Sequence, residues 1–261
     1  MVSICGSSGG FKRRQITETI DDSKFRGTFM RYEVIHPGSN ALVQVQLEPH
    51  EHIQAQAGAM VSRSEAVTVI GTLAGGMWRS LKRSTLGGES MFFQQLKAEN
   101  GAGEVLIAPP VPGDIKVLPV TGGQDYYVKN GSLLASFENV TIDTKMQKIS
   151  RGLFSGAGLF VIHATGEGQI AVSAFGALIE IPVGAGQKYV VDNGHIVAWY
   201  GDMEYRIIRG GKTWVSSVTS GEGLACEFTG PGKVWIQSRN PEAFGQWIKT
   251  FVPTGGGVSI F

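Results

Sequence analysis

The feature that most constrains the fold is a segment of the chain that occurs twice. Residues 113–135 read GDIKVLPVTGGQDYYVKNGSLLA, and residues 176–198 read GALIEIPVGAGQKYVVDNGHIVA. The two align without a gap, 63 positions apart (113 to 176), and ten of the 23 pairs are identical. A repeat of this length indicates that one structural unit is followed along the chain by another of the same kind.

Weaker similarities extend the repeat to three copies. Residues 42–62, LVQVQLEPHEHIQAQAGAMVS, align with the first segment through Gly58 and Gly131. A second element, a glycine turn followed by an alternating strand, also occurs three times, as GAGEVLIA from Gly101, GEGQIAVS from Gly166 and GPGKVWIQ from Gly230. We therefore predict one β domain over 30–252 that consists of three tandem modules at about 30–110, 111–175 and 176–240.

The residues between the turns have the pattern of short strands. In VLIA (105–108) and IAVS (170–173), β-branched residues recur at every second position, which is the period of a strand with one buried face. Asn130-Gly131 and Asn193-Gly194 are typical of type I′ turns, in which both central residues have positive φ. We predict an all-β fold of about sixteen to twenty strands, with the hairpin as the repeated unit.

One helix is predicted, at 241–251. Asn240 is a suitable N-cap, Pro241 suits the first helical position, and Pro253 ends the segment. At helical spacing, one face carries the apolar residues Phe244, Trp247, Ile248 and Phe251. We expect this face to pack on a sheet or across a subunit boundary. The tail at 253–261 and the arm at 1–29 are predicted to be flexible.

Composition favours an oligomer and disfavours several classes of partner. The chain has 37 glycines and only 17% charged residues, against about 25% in typical domains. Surface covered by other subunits explains so few charges. The net charge of +1 makes a nucleic-acid partner unlikely. The two cysteines do not form a disulfide framework, which suits a reducing, intracellular location.

The location is predicted to be cytoplasmic. No stretch reaches the roughly 18 apolar residues of a membrane-spanning helix, and the arm at 1–29 lacks the apolar core of a secretory signal. The arm contains the basic residues Lys12, Arg13 and Arg14, but its acidic residues Glu18, Asp21 and Asp22 are untypical of a mitochondrial targeting segment. A mitochondrial location stays open if the chain is eukaryotic.

Several motifs together resemble a known family. They are AGAMVS at Ala57, GGESMFF at Gly87, GEVLIAPPVPGDI at Gly103, and GEGL with FTGPGKVWIQSRNP between Gly221 and Pro241. The resemblance is to the family of altered inheritance of mitochondria protein twenty-four and covers about Met30 to Val252. It implies a fold similar to the tryptophan RNA-binding attenuation protein (TRAP-like), with three small double-stranded β-helix modules in each chain and subunits in a ring. It brings no function with it, because no activity is assigned to the family as a whole, and eukaryotic members are linked to mitochondrial inner-membrane organisation.

The strongest enzymatic alternative depends on His50 and His52. If both lay on one strand, they would point to the same face and could share a metal ion, as in a cupin-like metal- or small-ligand-binding β-barrel enzyme. Gln56 stands where a cupin would have a glutamate ligand, and Gln187 stands where it would have a later histidine. We therefore predict surface histidines at a turn. Cys226, in an alternating strand, is expected to be a buried structural thiol.

A basic, aromatic segment lies inside the first module. GMWRSLKRS at 76–84 brings together Trp78, Arg79, Lys82 and Arg83. This group is a candidate contact for an anionic surface, such as a membrane or a phosphate backbone, or for another subunit. The alternative is a solvated basic turn with Trp78 packed inward.

These observations lead to a predicted function without catalysis. We expect a ring-forming assembly or scaffold protein with no cofactor and no metal, whose main partner is itself. Three modules in a row leave an unpaired strand edge at each end, and head-to-tail closure of three chains, a homotrimer, would remove both. The candidate apolar anchors of the interface are Trp214, Trp235, Phe244 and Trp247.

Overall fold

The computed structural model describes residues 30–71, 93–147, 159–209 and 224–252. These residues form seventeen strands and one α-helix, α1 (Pro241–Lys249), so the predicted all-β class is confirmed. A 3₁₀ turn occupies Asn193–His195. The strands are β1 Arg31–Ile35, β2 Leu42–Leu47, β3 His52–Gln56, β4 Met60–Arg63, β5 Val67–Gly71, β6 Phe93–Ala98, β7 Gly103–Ile107, β8 Ile115–Val120, β9 Tyr126–Lys129, β10 Leu133–Gln147, β11 Leu159–Ser173, β12 Leu178–Val183, β13 Lys188–Asp192, β14 Ile196–Tyr200, β15 Glu204–Arg209, β16 Leu224–Thr229 and β17 Gly232–Gln237.

The described strands form three antiparallel sheets. The first has the order β1-β2-β7-β4, and the third has the order β13-β16-β15. The second and largest runs β12-β17-β14-β9-β11-β10-β3-β6-β5, with β8 paired to β11 beside this path. In the described part of the chain, no helix is long and apolar enough to cross a membrane.

Alternating residues account for the strands, and β2 shows how. Its sequence LVQVQL buries Val43, Val45 and Leu47 and turns the glutamines between them outward. On the outer face, the Gln44 side chain donates a hydrogen bond of 2.6 Å to a carboxylate oxygen of Glu104 on β7. The period of two therefore decides both what is buried and which polar groups bridge neighbouring strands.

The Asn-Gly turns are not hairpins, which corrects the prediction. β9 and β10 flank Asn130-Gly131 but do not pair with each other, since β9 pairs with β11 and β14, and β10 pairs with β11 and β3. Of the two turn residues only Gly131 has positive φ, at 85°. The turn is closed by the Ser132 amide, which donates to the Lys129 carbonyl at 3.0 Å. It is a corner at which the chain changes neighbours, so type I′ geometry is not required.

The glycine turns of the second repeated element are corners in the same sense. β6 and β7 lie in different sheets, and so do β16 and β17. At the middle copy, Gly166 and Gly168 lie inside the single long strand β11. The predicted hairpin across each glycine turn is therefore not formed. Consecutive strands do pair antiparallel in each third of the chain, β5 with β6, β10 with β11 and β15 with β16.

Pairing between distant strands follows one pattern at two places. β3 pairs with β10, with Ala55 opposite Ala135. β9 pairs with β14, with Val128 opposite Ala198. From the first pair to the second, the position advances by 73 on one strand (55 to 128) and by 63 on the other (135 to 198).

A register irregularity follows the same spacing. β4 shifts against β7 between Met60 and Ser62, and β10 shifts against β11 between Leu133 and Ala135. β14 shifts against β17 between Ile196 and Ala198. Each shift marks a β-bulge, which adds one residue to a strand and bends it. The three bulges occur 73 and 63 residues apart, at positions that the sequence alignment also matches.

Three buried clusters form the interior. The first lies between strands β2–β7 and β10, the second between β8–β11, β14 and β17, and the third between β13–β17 and the facing ends of β9 and β11. Each cluster takes side chains from neighbouring parts of the chain. Phe137 of β10, for example, is fully buried in the first cluster and stacks on Tyr32 of β1 at 5.6 Å between ring centroids.

Helix α1 begins where the sequence predicts. The Asn240 side chain accepts a hydrogen bond from the Ala243 amide at 3.1 Å, which satisfies one free amide of the first turn. Pro241 occupies the first position and Glu242 follows, both of which favour a helix start.

We predict that Gly113→Ala destabilises the chain. A Cβ at residue 113 would lie 1.6 Å from the Ala174 carbonyl oxygen, where Gly113 bridges Asn40 on one side and Gly176 on the other. The backbone must move, which costs about 1–3 kcal/mol for overpacking of this kind. Urea denaturation measures it, with Gly123→Ala as the control, since a Cβ there meets nothing within 4 Å. Equal midpoints for the two variants would contradict the prediction.

Candidate functional site

Two edge strands, β4 and β13, stand out on the surface. Among the described strands, β4 pairs with β7 alone and β13 pairs with β16 alone. The open side of each strand therefore presents backbone N–H and C=O groups that can pair with another strand. Natural proteins cover or charge such edges, because uncovered edges associate.

Both edges carry apolar side chains in contact with solvent. Val61 of β4 is 56% exposed, and on β13 Tyr189 is 40% and Val190 52% exposed. The repeat assigns equivalent positions to them elsewhere in the chain. Leu134 and Val197 are equivalent to Val61, and both are fully buried. Apolar residues at equivalent positions of the repeat are thus buried inside the chain and exposed to solvent at β4 and β13.

On the other edge, Tyr189 is likewise more exposed than the residues at equivalent positions of the repeat. Its equivalents are Ile53 on β3 and Tyr126 on β9, which are 0% and 1% exposed. Tyr126 packs against Tyr200 and Trp235 with ring centroids 5.5 and 5.6 Å away. Tyr189 has the same place on its strand, and β14, the strand that covers Tyr126, has no described counterpart beside β13.

Charged groups flank the two apolar edges. The Lys188 ammonium lies 3.1 Å from a Glu227 carboxylate oxygen, and the Arg206 guanidinium lies 2.9 Å from the same oxygen. Hydrogen bonds from Arg206 and Lys188 lower the pKa of Glu227, so its carboxylate stays ionised. On the other edge, Arg63 and Glu65 are exposed. The surfaces therefore combine an apolar strand with charges that can select a partner.

The apolar face of α1 is a third exposed surface. It carries Phe244, Trp247 and Ile248, Phe251 follows just after the helix end, and none of the helix residues is buried. Phe244 packs edge-on against Phe175 at 5.0 Å, and Glu242 lies 3.7 Å from the Lys129 ammonium. These few contacts hold the helix against the sheets and leave most of its apolar face in solvent.

The predicted interface residues have different outcomes. Trp235 is 2% exposed and packs with Tyr126 and Tyr200 in the second cluster, so the prediction that it anchors an interface is wrong. Its alternating position in β17 points inward, and the sequence pattern does not say toward which neighbour. Phe244 and Trp247 are exposed, and their interface role stays a prediction. Trp214 lies outside the described residues.

The histidine pair does not have the geometry that a shared metal would need. His52 is the first residue of β3, whereas His50 lies in the preceding turn with φ of 73°. Both are exposed, and they do not share a strand face. Within the described ranges, no three His, Cys, Asp or Glu side chains are grouped in a way that could hold a metal ion. The basic group Trp78, Arg79, Lys82 and Arg83 lies outside the described residues.

A carboxylate–imidazole pair was not predicted from the sequence. Asp125 accepts or shares a hydrogen with His163 Nε2, and the Tyr127 ring stacks on the imidazole at 4.6 Å. The Asp125 carboxylate also occupies the space that a Cβ at Gly201 would need. Asp125 lies just before β9, and His163 lies on β11, 38 residues further along the chain. The sequence around either residue therefore does not predict the pair. Their position beside β14 indicates a role in fixing the β9–β14 boundary.

Glu138 is a second polar residue that the sequence did not reveal. It has φ of 56°, a conformation that costs energy for a residue other than glycine. One carboxylate oxygen accepts a hydrogen bond of 2.7 Å from the Met30 amide. Burial raises the pKa of Glu138, and the nearby Glu51 acts in the same direction. Glu138 thus fixes the beginning of β1 against β10.

Cys226 is a buried free thiol, as predicted. It is 1% exposed on β16 within the third cluster. Burial raises the pKa of Cys226 to about 12, and Lys129 opposes this shift only in part. At neutral pH the group is a protonated thiol, which is a poor nucleophile.

The fold and these surfaces define an all-β protein with three shared cores, open apolar edges at β4 and β13 and, among the described residues, no grouped metal ligands. The chain belongs to the mitochondrial biogenesis AIM24 family, whose model matches residues 32–239. It is 32% identical to an uncharacterised protein of Streptococcus pyogenes serotype M6 over 248 residues, which covers 92% of this chain and 98% of the relative. A crystal structure of a Streptococcus pyogenes protein from a structural genomics consortium superposes with a TM-score of 0.72 at 32% identity, over 85% of this chain and 100% of that one.

We predict that Cys226 in the folded chain resists alkylation. A pKa of about 12 against an ordinary value of 9.0 means about a thousandfold less thiolate at any pH below 9. A Cys5→Ser background leaves one thiol, whose reaction with iodoacetamide can be followed by mass spectrometry. The same chain unfolded in urea is the control and should react at the ordinary rate of a free thiol. Equal rates in the folded and unfolded chains would show that the thiol is not protected.

Proposed function

We propose that this chain is a non-enzymatic assembly protein that closes head to tail with other copies into a ring. The observation that carries the proposal is the difference in exposure between equivalent positions. Val61 and Tyr189 are exposed at the edges, whereas Leu134, Val197 and Tyr126 at the equivalent places are buried. Two different edges that each lack a neighbour make a heterologous contact, and such contacts form closed rings when the rotation between subunits allows it.

In this proposal each chain contributes three TRAP-like modules of the double-stranded β-helix kind, and three chains give a ring of nine. The spacing of the three bulges supports equivalent modules, since each falls at the matching position of the repeat. The two boundaries inside the chain, β3 with β10 and β9 with β14, have the same register. A third boundary of the same kind would join one chain to the next.

The ring would act as a scaffold rather than as a catalyst. The exposed apolar face of α1 and the charged groups beside the edges are surfaces suited to binding other proteins. The cupin-like alternative is not supported, because His50 and His52 do not share a strand face. A cytoplasmic location for this chain agrees with the similarity to a streptococcal protein.

Light scattering coupled to gel filtration tests the ring. We expect a particle of three chains of 27.9 kDa, about 84 kDa, at micromolar concentration. A species of 27.9 kDa alone would refute the assembly. A stable dimer would refute the trimer and leave head-to-tail association to be tested at the edges.

Substitution of the edge residues should dissociate the ring. In Val61→Asp and in Tyr189→Asp, a carboxylate would be buried against the next copy without a partner, which costs several kcal/mol. We expect each variant to run as a 27.9 kDa chain with an unchanged circular dichroism spectrum. Val69→Asp is the matched control, since Val69 is an exposed valine on β5, a strand at a sheet edge other than β4 and β13. Retention of the full mass in both edge variants would exclude these edges from the interface.

A further inference from the structure

The strand pairing at the two boundaries between modules inside the chain predicts the pairing at a boundary between two copies. We count the strands of each module from the first strand of the repeat, which is β2, β8 or β12. At each internal boundary the second strand of one module then pairs with the third strand of the next, as β3 does with β10 and β9 with β14. The second strand of the last module, β13, has no such partner in the described chain. The third strand of the first module, β4, has none either. Both lie at sheet edges.

We propose that β13 of one copy pairs antiparallel with β4 of the next, with Val191 opposite Ser62, and that Lys188 meets Glu65 across this seam. The partner is therefore a second copy of this chain, in one defined register. This inference rests on the proposed ring, and it adds the register and the ion pair that select the partner.

The register follows from the two internal ones. Ala55 lies opposite Ala135, and Val128 lies opposite Ala198. A further step of 63 along the repeat takes Val128 to Val191, and the place equivalent to Ala135 in the first module, 73 positions earlier, is Ser62. The bulge between Met60 and Ser62 gives β4 the same irregularity as β10 and β14, so its open side has the shape that those strands present to their partners.

The side chains beside this register are complementary. Three residues before Val128, the Asp125 carbonyl accepts a hydrogen bond of 2.9 Å from the Gly201 amide. The equivalent residues at the seam are Lys188 and Glu65. Both are exposed in the single chain, and their charges are opposite. At the seam the Glu65 carboxylate would join Glu227 in neutralising Lys188.

The apolar contacts at the seam can be inferred from those at the internal boundary in the same way. Trp199 lies opposite Tyr127 at the internal boundary, and the two rings are 5.5 Å apart. The equivalent pair at the seam is Arg63 opposite Val190, in which the aliphatic part of the arginine can cover a valine that is 52% exposed. Removal of apolar surface from water then favours association, while the charges set the register.

A charge exchange tests the ion pair. Glu65→Lys should place two ammonium groups together and raise the dissociation constant of the ring by at least about tenfold, and Lys188→Glu should do the same with carboxylates. The double variant should restore the wild-type value within about threefold. Asp143→Lys is the control, an exposed acidic strand residue on β10, and should leave the constant unchanged. Single variants without effect, or a double variant no tighter than the singles, would overturn the pairing of Lys188 with Glu65.

A disulfide tests the register without relying on charge. Directly opposite residues have Cβ atoms about 4.5–5.5 Å apart, so a shift of about 1 Å brings them to the roughly 3.5–4.5 Å of a disulfide, whereas diagonal neighbours at about 7–8 Å are too far apart. In a Cys5→Ser background, Val190→Cys with Arg63→Cys should give covalent dimers and trimers on oxidation, and neither single variant should give the trimer. Val190→Cys with Val61→Cys is the control for a register shifted by two residues and should not cross-link.

The outcomes separate this inference from the proposed ring. A particle of three chains that cross-links through the control pair, or through neither pair, would overturn the register and leave the ring standing. A 27.9 kDa species before any substitution would remove both.

Discussion

Antiparallel pairing between strands from neighbouring thirds of the chain is the interaction on which the rest of the structure depends. β10 brings Leu134, Ala135 and Phe137 into the same buried cluster as β2 and β3, so the first core is complete only when the second third has folded. Val197, Ala198 and Trp235 do the same for the second core. Burial of apolar area is the main favourable contribution to folding, and here much of it requires strands that are distant in sequence. The thirds of the chain therefore share their buried clusters across the boundaries between them.

The same dependence gives the two edges their properties. Their strands have the residues of an internal boundary, with Val61 at one edge and Tyr189 and Val190 at the other, and the described chain covers neither. An apolar strand edge invites any other strand to pair, which makes it an aggregation hazard when it is left open. Charges beside the strand reduce this hazard, because a wrong register or a wrong partner brings like charges together. Arg63 and Glu65 on one side and Lys188 on the other have this position.

The sequence predicts what is decided locally and fails where distant strands meet. The N-cap of α1 needs only Asn240 and the next three residues, and the burial of β2 needs only its own alternation, so both could be predicted. Asn130-Gly131 is a corner because β9 and β10 have other partners, a fact that no local pattern contains.

Two features of the candidate site show the same limit. An alternating strand indicates that Trp235 points inward, but a side chain buried in its own core and one buried in an interface have the same pattern. Asp125 and His163 meet because β9 and β11 are neighbours, and neither residue is part of a recognisable motif. The edges could be predicted to exist from three modules in a row, whereas their identity as β4 and β13 needed the observed strand order.

Helix α1 differs from everything else in the described chain in how it is attached. It buries none of its residues and is held by Phe175, by Lys129 and by its own cap, whereas each strand of the large sheet is held by ladder hydrogen bonds to its neighbours. Local opening follows such differences, since elements with few buried contacts open at a much lower free energy than the core. The amide hydrogens of α1 should consequently exchange with solvent long before those of β10 and β11. We therefore expect the helix to open while the sheets stay closed, so that its apolar face can change position without disturbing the cores.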